Sequence, residues 1–441
     1  MLKVKNNILL AISPIGGAII SLMMLLSAFL IPKDIFEDLI FEDYIVNETT
    51  IMPIFYIGCI FSFIIGSYWA ANNKTVLYLV GLREEKVIVK YNFSMMFYLL
   101  LVTDIIVYAA IAYRVSNGAV INAILSANAE MGRGESQGTL INVAKNLLNS
   151  VSVYGLYWYL KEGNDIESNF LKSSIKAELI ISIIGAIFLC VVTISRSTLV
   201  PLILEYLIVY GFIKSKKGNI PLYKLMLSII LWLFVIIIIF MFFSYVRGSI
   251  QFYTQIRSII GYGPAAFNHL CYVLNGTLHS QYEGTGQYTL YFLSNIPIFH
   301  RILDFGAFMN LPSDIDAWRG EMFSTAQAGL NYSLFWVTSF GYYFYDLGYF
   351  TIFFVFITGC VTGLGWKSFQ TGGCFGVVMY PFFASTVILW MTSNLFTQCF
   401  SINFTYMLFI FILEVVFGTK KNLVSHHIEG KPVAICGNVA V

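Results

Sequence analysis

The chain has 441 residues, of which 58% are hydrophobic and 11% are charged, and its formal net charge is +2. Soluble domains carry about 25% charged residues. A chain of this length with so few charges cannot cover its surface with polar groups, which excludes an ordinary soluble protein. The small net charge gives no reason to expect nucleic acid as a partner. The seven cysteines lie mostly in apolar runs, with neither CxxC spacing nor a disulfide framework, so we expect small hydrophobic side chains.

Long apolar runs predict an all-α polytopic membrane protein, because a helix needs about 20 apolar residues to cross the hydrocarbon layer. The first run, Ile8–Ile31, follows two lysines as a signal sequence would, but it is too long for a signal-peptide core and has no cleavage site, so we predict a retained span. Single spans are also predicted at Ile51–Ala71, Tyr91–Tyr113, Leu140–Leu160, Leu225–Tyr245 and Tyr342–Trp366. Two longer runs, Ala177–Ile213 and Cys374–Gly418, each predict a pair of spans, divided at Arg196-Ser197 and near Ser393–Ser401, which brings the total to ten.

The orientation depends on Leu140–Leu160, which is polar for a span. If it crosses and the N-terminus is cytoplasmic, nearly all lysines face the cytoplasm, as the positive-inside rule requires. If it does not cross, the Lys214–Lys224 cluster and the C-terminal lysines move outside. We therefore predict that it crosses, in a bacterial inner-membrane protein whose N- and C-termini are both cytoplasmic.

The predicted spans divide the chain into four segments. Residues 1–245 hold seven spans with short loops, 246–340 form a large periplasmic loop, 341–418 hold spans eight to ten, and 419–441 form a cytoplasmic tail. The large loop is rich in tyrosine and phenylalanine. Loops of this length without a fold of their own are usually functional. We expect short amphipathic helices that lie on the membrane and cap a cavity.

Arginine is distributed differently from lysine in this topology. Seven of the eight arginines fall on the outer side, where lysine is nearly absent: Arg114, Arg133, Arg196, Arg247, Arg257, Arg301 and Arg319. The planar guanidinium binds phosphate oxygens in pairs and loses less solvation than an ammonium group. Anchoring to lipid head groups or pairing with carboxylates is the alternative for any one of them. For the group as a whole we favour a diphosphate site at the membrane surface, with Arg196, Arg247, Arg257, Arg301 and Arg319 as its ligands.

The outer residues give no convincing metal site. Asp314-Ile315-Asp316 has the DxD spacing that some glycosyltransferases use, but the pattern is short enough to arise by chance, and nearby Pro312 and Trp318 predict an irregular loop with a solvated acidic pair. The histidines lack the paired spacing that zinc requires on a helix. We expect neither a metal nor another cofactor, so fixed cations must neutralise a leaving diphosphate.

Four outer side chains are candidates for a general base: His279, His300, Glu321 and Asp346. Histidine titrates near neutral pH, and burial at a membrane edge raises the pKa of a carboxyl unless a partner is present. Either group could take the proton of an incoming hydroxyl. Simpler roles stay open, since the histidines can have structural partners at the interface and Glu321 can form a salt bridge with Arg319.

Several short motifs occur at specific points of this topology. Ser195-Arg196-Ser197-Thr198 lies between two predicted spans, Arg247-Gly248 follows the seventh span, and Asn331…Thr338…Gly341…Tyr345-Asp346-Leu347-Gly348 leads into the eighth. With these motifs and its large outer loop, the chain resembles the oligosaccharide repeat-unit polymerases of O-antigen and capsule synthesis (the Wzy-type polymerases). The resemblance covers most of the chain as topology.

The resemblance implies a GT-C-like integral-membrane glycosyltransferase. Its substrates would be polyprenyl-diphosphate-linked oligosaccharides at the periplasmic face, and membrane lipid would surround it. The sequence leaves open whether a chain-length regulator is a further partner. The growing glycan would move onto a new unit, with release of the carrier diphosphate and without a metal or nucleotide. The alternatives are a lipid-linked oligosaccharide flippase or other transporter, or an O-antigen ligase or acyltransferase.

Overall fold

The computed structural model describes residues 8–79, 89–90, 92–116, 139–166, 168–193, 199–217, 231, 234, 237–238, 241–242, 263–294, 296, 305–391, 394–417 and 419–420. The longer helices are α1 (Pro14–Leu30), α3 (Ile51–Asn72), α5 (Phe93–Ser116), α6 (Thr139–Glu162), α7 (Asn169–Val192), α8 (Leu199–Lys217), α14 (Thr351–Thr371), α15 (Cys374–Ile388) and α16 (Leu395–Phe417). Shorter helices are α2 (Lys33–Ile40), α4 (Lys74–Leu79), α9 (Pro264–Leu274), α10 (Tyr291–Ser294), α11 (Phe305–Phe308), α12 (Asp314–Gln327) and α13 (Ser339–Leu347). Two short strands, β1 (Val89–Lys90) and β2 (Thr419–Lys420), form an antiparallel pair.

The chain is an all-α multi-pass membrane protein. Among the described residues, five helical segments are long and apolar enough to cross a membrane: α3, α5, α7, the continuous segment Ser339–Thr371, and α16. The bent pair of α1 and α2, with a 94° angle between them, makes a sixth if it counts as one span. The five segments and α1 overlap predicted spans, whereas α2 lies beyond the predicted end of the first span at Ile31. The helices α6 and α8 also form over predicted spans but do not pass this length and composition test, and α15 is shorter. Most of the predicted span Leu225–Tyr245 lies outside the described residues.

Both predicted breaks within long apolar runs are present. At the first, α7 ends at Val192 and α8 begins at Leu199, and the predicted dividing residues Arg196-Ser197 lie outside the described residues. The second falls earlier than predicted, between Ile388 and Leu395. Polar residues that predicted the later position, such as Ser401, are buried in the bundle. Their neighbour Asn403 accepts a hydrogen bond from Ser150 Oγ of α6 at 3.2 Å, so polarity at this position reflects helix packing.

Helix α6, the polar predicted span, lies in the middle of the bundle and packs against α5, α7, α8, α15 and α16. Its polar side chains therefore meet protein in place of lipid. Ser152 Oγ donates to Leu148 O at 2.5 Å, and Tyr154 Oη donates to the Glu414 carboxylate. Polar groups with such partners are tolerated in a membrane bundle, which explains how a helix over Leu140–Leu160 can be both polar and central.

Glycines allow α3 and α14 to approach closely. A Cβ atom on Gly363 would lie 2.2 Å from Ser67 O, and one on Gly359 would lie 2.4 Å from Phe63 O. Gly359 and Gly363 have the GxxxG spacing that is typical of tightly packed membrane helices. This contact fixes the start of α14, and with it α13, beside the start of α3.

The helices begin and end at two opposite ends of the bundle. At one end, which we call the lysine end, β1 pairs with β2 and Lys216 Nζ donates to Gln370 O at 2.9 Å. The described lysines of this end are Lys74, Lys90, Lys161, Lys172, Lys214, Lys216, Lys217, Lys367 and Lys420.

At the opposite end, which we call the loop end, the connection between α2 and α3 meets α9. Ile45 N donates to Asn268 Oδ1 at 3.0 Å. Both arginines that the structure describes lie at the loop end, Arg114 in the last turn of α5 and Arg319 in α12. Described arginines and most described lysines thus lie at opposite ends of the bundle.

Candidate active site

The predicted large loop contains the short helices expected of it, and α12 is the longest of those described. Ser313 caps its start, since Ser313 Oγ accepts from Asp316 N at 3.2 Å and donates to Asp316 Oδ2 at 2.6 Å. Both bonds join the N-cap serine to the residue at the third helical position. The Asp314–Asp316 segment is therefore the ordered first turn of a helix, and the expectation of an irregular loop there is wrong.

Glu321 lies on α12 beside a small cavity, which we call the tyrosine cavity. The cavity has a volume of about 10 Å³, roughly the space that one water molecule needs. Tyr342 Oη donates to Glu321 Oε2 at 3.3 Å. The lining residues are Leu278, His279, Ser280, Glu321, Ser324, Thr325, Phe335, Val337, Tyr342 and Tyr345. Two of the four predicted base candidates, His279 and Glu321, thus line one cavity.

Burial changes the acidity of Glu321. It raises the pKa of this carboxyl from 4.5 to about 8, and hydrogen bonds from Tyr342 and Tyr288 oppose a further rise. A carboxyl with a pKa near the working pH is suited to proton transfer, because both of its protonation states are populated. Burial likewise raises the pKa of the Tyr288 hydroxyl, so this tyrosine stays protonated and can donate a hydrogen bond to the carboxylate.

Asp346 holds the segment that carries Tyr288. Its carboxylate accepts hydrogen bonds from the backbone N–H groups of Gly286 (3.1 Å), Tyr288 (2.8 Å) and Thr289 (2.9 Å), and from the Thr289 hydroxyl (2.9 Å). Asn394 Nδ2 and Thr397 Oγ1, at the start of α16, both donate to Tyr288 O. A carboxylate with four donors already bound is suited to positioning a loop, so its contribution to the site is the placement of Tyr288.

Tyr288 in turn packs inside the site. Its ring centroid lies 5.2 Å from that of Tyr342 and 5.5 Å from that of Tyr345. Its hydroxyl shares a 2.5 Å hydrogen bond with Ser280 Oγ. Both ring pairs are tilted, and aromatic contacts of this kind add to the energy of burial. The tyrosines therefore form a rigid wall around the Glu321 carboxyl.

His279 is largely exposed, with 65% of its side chain accessible. Nδ1 lies 3.2 Å from Glu283 Oε1, and Nε2 lies 2.9 Å from Gly276 O. Both ring nitrogens thus already face acceptors within the same loop. Glu321 is the better placed of the two cavity-lining candidates to receive a proton.

Arg319 and Glu321 do not form the salt bridge that their proximity in sequence allowed. Residues two apart on a helix point in different directions, and Arg319 is exposed whereas Glu321 turns toward the tyrosine cavity. Among the residues that the structure describes, no hydrogen bond or ion pair of the Arg319 guanidinium is present. The other predicted site residues, Arg196, Arg247, Arg257, Arg301 and His300, lie outside the described residues.

A buried histidine–glutamate pair, which the sequence did not single out, joins the loop to the membrane helices. His269 of α9 and Glu42, which follows α2, are both fully buried at their side chains, with Nε2 2.9 Å from Oε1. His269 Nδ1 lies 3.1 Å from Trp336 O, and Asn331 N donates to Glu42 Oε1 at 2.6 Å. A carbonyl oxygen can only accept, so Nδ1 donates to Trp336 O, and Nε2 faces the Glu42 carboxylate. The polar Asn268-His269 pair within an otherwise apolar helix is the one sequence signal of this buried contact.

Most positions of the motif that leads into the eighth predicted span have a local structural role. Asn331 Nδ2 donates to Ile40 O at 2.8 Å, and Thr338 Oγ1 caps α13 by accepting from Gly341 N at 3.2 Å. A Cβ on Gly341 would lie 3.0 Å from Val337 Cβ. Gly348 ends α13 with a φ of 54°, where glycine is favoured. The motif therefore docks the loop onto the bundle and orients Asp346.

Comparisons with known proteins do not assign this chain to a family. No protein-family model, curated protein or solved structure matches this chain. Its function has to be inferred from its own residues and their geometry.

Proposed function

We propose that this chain is a membrane-embedded glycosyltransferase that polymerises polyprenyl-diphosphate-linked oligosaccharide repeat units at the periplasmic face of the inner membrane. The observation that carries the proposal is the position of Glu321. A half-buried carboxyl with a pKa of about 8 lies in a tyrosine-lined cavity at the end of the bundle where the described arginines are found, opposite the lysine end. A base and fixed cations at one membrane surface are what metal-independent transfer from a lipid diphosphate requires.

The proposed topology has ten spans in a GT-C-like arrangement, and the lysine end faces the cytoplasm. This orientation follows the positive-inside rule, since nine described lysines lie at that end. It places Glu321 and the large loop in the periplasm, where flipped lipid-linked units would be available. Both termini are then cytoplasmic.

The proposed reaction is a displacement at the anomeric carbon of the growing glycan. Glu321 takes the proton from a hydroxyl at the non-reducing end of a new unit, and that oxygen forms a bond to the anomeric carbon. The bond from this carbon to the carrier diphosphate breaks, and the diphosphate leaves with the bonding electrons. Arginine side chains stabilise its increased negative charge in a bidentate manner. Arg196, Arg247, Arg257, Arg301 and Arg319 are the proposed diphosphate ligands.

Arginine substitution tests this assignment. Replacing Arg196, Arg247 or Arg319 with alanine should lower the rate of polymerisation by about 10²–10³, the usual effect of removing one transition-state charge stabiliser. Replacement with lysine should lower the rate nearly as much, because lysine lacks the planar guanidinium group. The measurement is the length distribution of surface glycan on a gel, with membrane insertion followed by immunoblot. The matched control is Arg83→Ala, since Arg83 is predicted to be cytoplasmic, and it should make normal chains. Normal chain length in all three outer variants would rule out the arginine mechanism.

A further inference from the structure

A second, larger cavity opens at the loop end, and we call it the acidic cavity. Its volume is about 420 Å³, within the range of about 300–1,000 Å³ that small-molecule sites occupy. It is lined by Glu37, Phe41, Glu42, Asp43, Tyr272, Ala328, Gly329 and Leu330. The walls therefore come from α2 and its connection to α3, from α9, and from the residues that follow α12.

Phe41 gives this cavity an exposed aromatic ring. Its side chain is 66% accessible, and its backbone is left-handed, with φ 61° and ψ 46°. Bulky residues rarely adopt this conformation, and strained positions that persist are concentrated at functional sites. The conformation is held by the bond from Phe41 N to Glu37 O at 2.9 Å. A rigid, exposed aromatic face next to open polar groups is suited to packing against the C–H face of a sugar ring.

The charge of the acidic cavity excludes phosphate as its ligand. Three carboxylates line it, and no basic side chain is among its described lining residues. Two of the three are already engaged, because Glu42 binds His269 and Glu37 Oε1 accepts from Tyr44 N at 3.0 Å. The Asp43 side chain is exposed and can accept hydrogen bonds from hydroxyl groups. A neutral, polyhydroxylated ligand fits this lining, whereas a diphosphate would be repelled.

The two cavities lie along one helix. Thr325 lines the tyrosine cavity and Ala328 lines the acidic cavity, which places them about 4.5 Å apart along the axis of α12. From Glu321 to Ala328 the same rise gives about 10 Å. Leu330 N donates to Thr325 O at 3.1 Å, so the wall between the cavities is a closed turn. A ligand in the acidic cavity therefore lies a short distance from the proposed base.

We propose that the acidic cavity is an acceptor subsite that binds a neutral sugar ring of the incoming repeat unit. This inference rests on the proposed function and adds a location for the acceptor. It also separates the two substrate groups by charge. The neutral acceptor glycan binds among carboxylates, and the donor diphosphate binds among arginines.

Direct binding tests the subsite separately from catalysis. The probe is the free oligosaccharide repeat unit cut from the cell's own surface glycan, and the measurement is saturation-transfer NMR with the full chain in lipid nanodiscs. We expect Phe41→Ala to weaken binding at least about tenfold, as truncation of an aromatic anchor does, and Asp43→Asn to weaken it as well. Phe41→Tyr, which keeps the ring, should bind like the wild type. The matched control is Phe308→Ala, because Phe308 is 86% exposed at the loop end and lines neither cavity.

Wild-type affinity in both Phe41→Ala and Asp43→Asn would overturn the subsite, as would absence of saturation transfer to the wild-type chain. A different measurement tests the proposed function, namely the glycan gel of cells that carry the wild-type protein. Absence of a polymer ladder on that gel would contradict the proposed function. A normal polymer ladder in cells together with unchanged binding by Phe41→Ala would remove the subsite and leave the polymerase proposal in place.

Discussion

Replacing Glu321 with glutamine should abolish long glycan chains while leaving the protein folded in the membrane. Glutamine keeps the shape of the side chain and can accept the hydrogen bond from Tyr342 Oη, but it cannot take a proton. Loss of a general base typically lowers a rate by about 10²–10⁴. The measurement is the glycan ladder on a gel, with protein amount checked by immunoblot. The control is Glu48→Gln, the same chemical change at an exposed carboxylate of the loop end that lines neither cavity.

The pH dependence of the same residue gives an independent check. With a pKa of about 8, Glu321 is mostly protonated at pH 7 and mostly ionised at pH 9. If it acts as the base, the initial polymerisation rate of reconstituted protein should rise about tenfold over this interval. A flat profile between pH 7 and 9 would contradict the assignment.

Stability should depend on pH in the opposite direction. The carboxyl pKa is higher in the folded chain than its ordinary value of 4.5, so the folded state binds more protons between about pH 4.5 and 8. The contribution of Glu321 to the free energy of unfolding is then fully present below pH 4.5 and is lost as the pH rises through about 8. Glu321→Gln removes this pH-dependent loss of stability, because glutamine does not titrate. The variant should be at least as stable as the wild type at pH 8, which separates loss of catalysis from loss of fold.

Replacing His269 with alanine should give the largest loss of stability. The change leaves Glu42 buried without its ionic partner, and breaking a buried pair in this way costs about 3–5 kcal/mol. The pair joins α9 to the connection between α2 and α3, so we expect the loop to detach before the bundle unfolds. Thermal unfolding in nanodiscs and limited proteolysis within residues 263–338 would measure the two effects.

Two comparisons make the His269 result specific. His279→Ala changes an exposed histidine of the same loop and should leave the unfolding temperature unchanged. In a double-mutant cycle, Glu42→Gln added to His269→Ala should cost much less than it does alone, because the two residues interact directly. An unfolding temperature of His269→Ala equal to that of the wild type would contradict the buried pair.

Hydropathy predicted the membrane helices well because it reports a local property. The helices α3, α5, α7 and α16 are long and apolar, and each overlaps a predicted run. The break between α7 and α8 was predicted from one charged dipeptide in an apolar run. The polar helix α6 was predicted from the distribution of lysines, which depends on the whole topology and not on the helix itself.

The contacts within the candidate site could not be predicted from local pattern. His269 and Glu42 are 227 positions apart, and Asp346 binds donors 57 to 60 positions earlier in the chain. Asp346 was recognised as a charge at a membrane edge, but the sequence gives no sign that four donors already surround it. Glu321 was a candidate among others, and its distinction, burial against Tyr288 and Tyr342, is a property of the folded loop.

The most direct test of the proposed polymerase is the surface glycan of a strain from which this chain has been deleted. We expect a gel to show single repeat units at the cell surface and no ladder, with the ladder restored by the wild-type chain but not by Glu321→Gln. Absence of any surface units would point to a flippase, and long polymer retained on the lipid carrier would point to a ligase. Either result would contradict the proposed function.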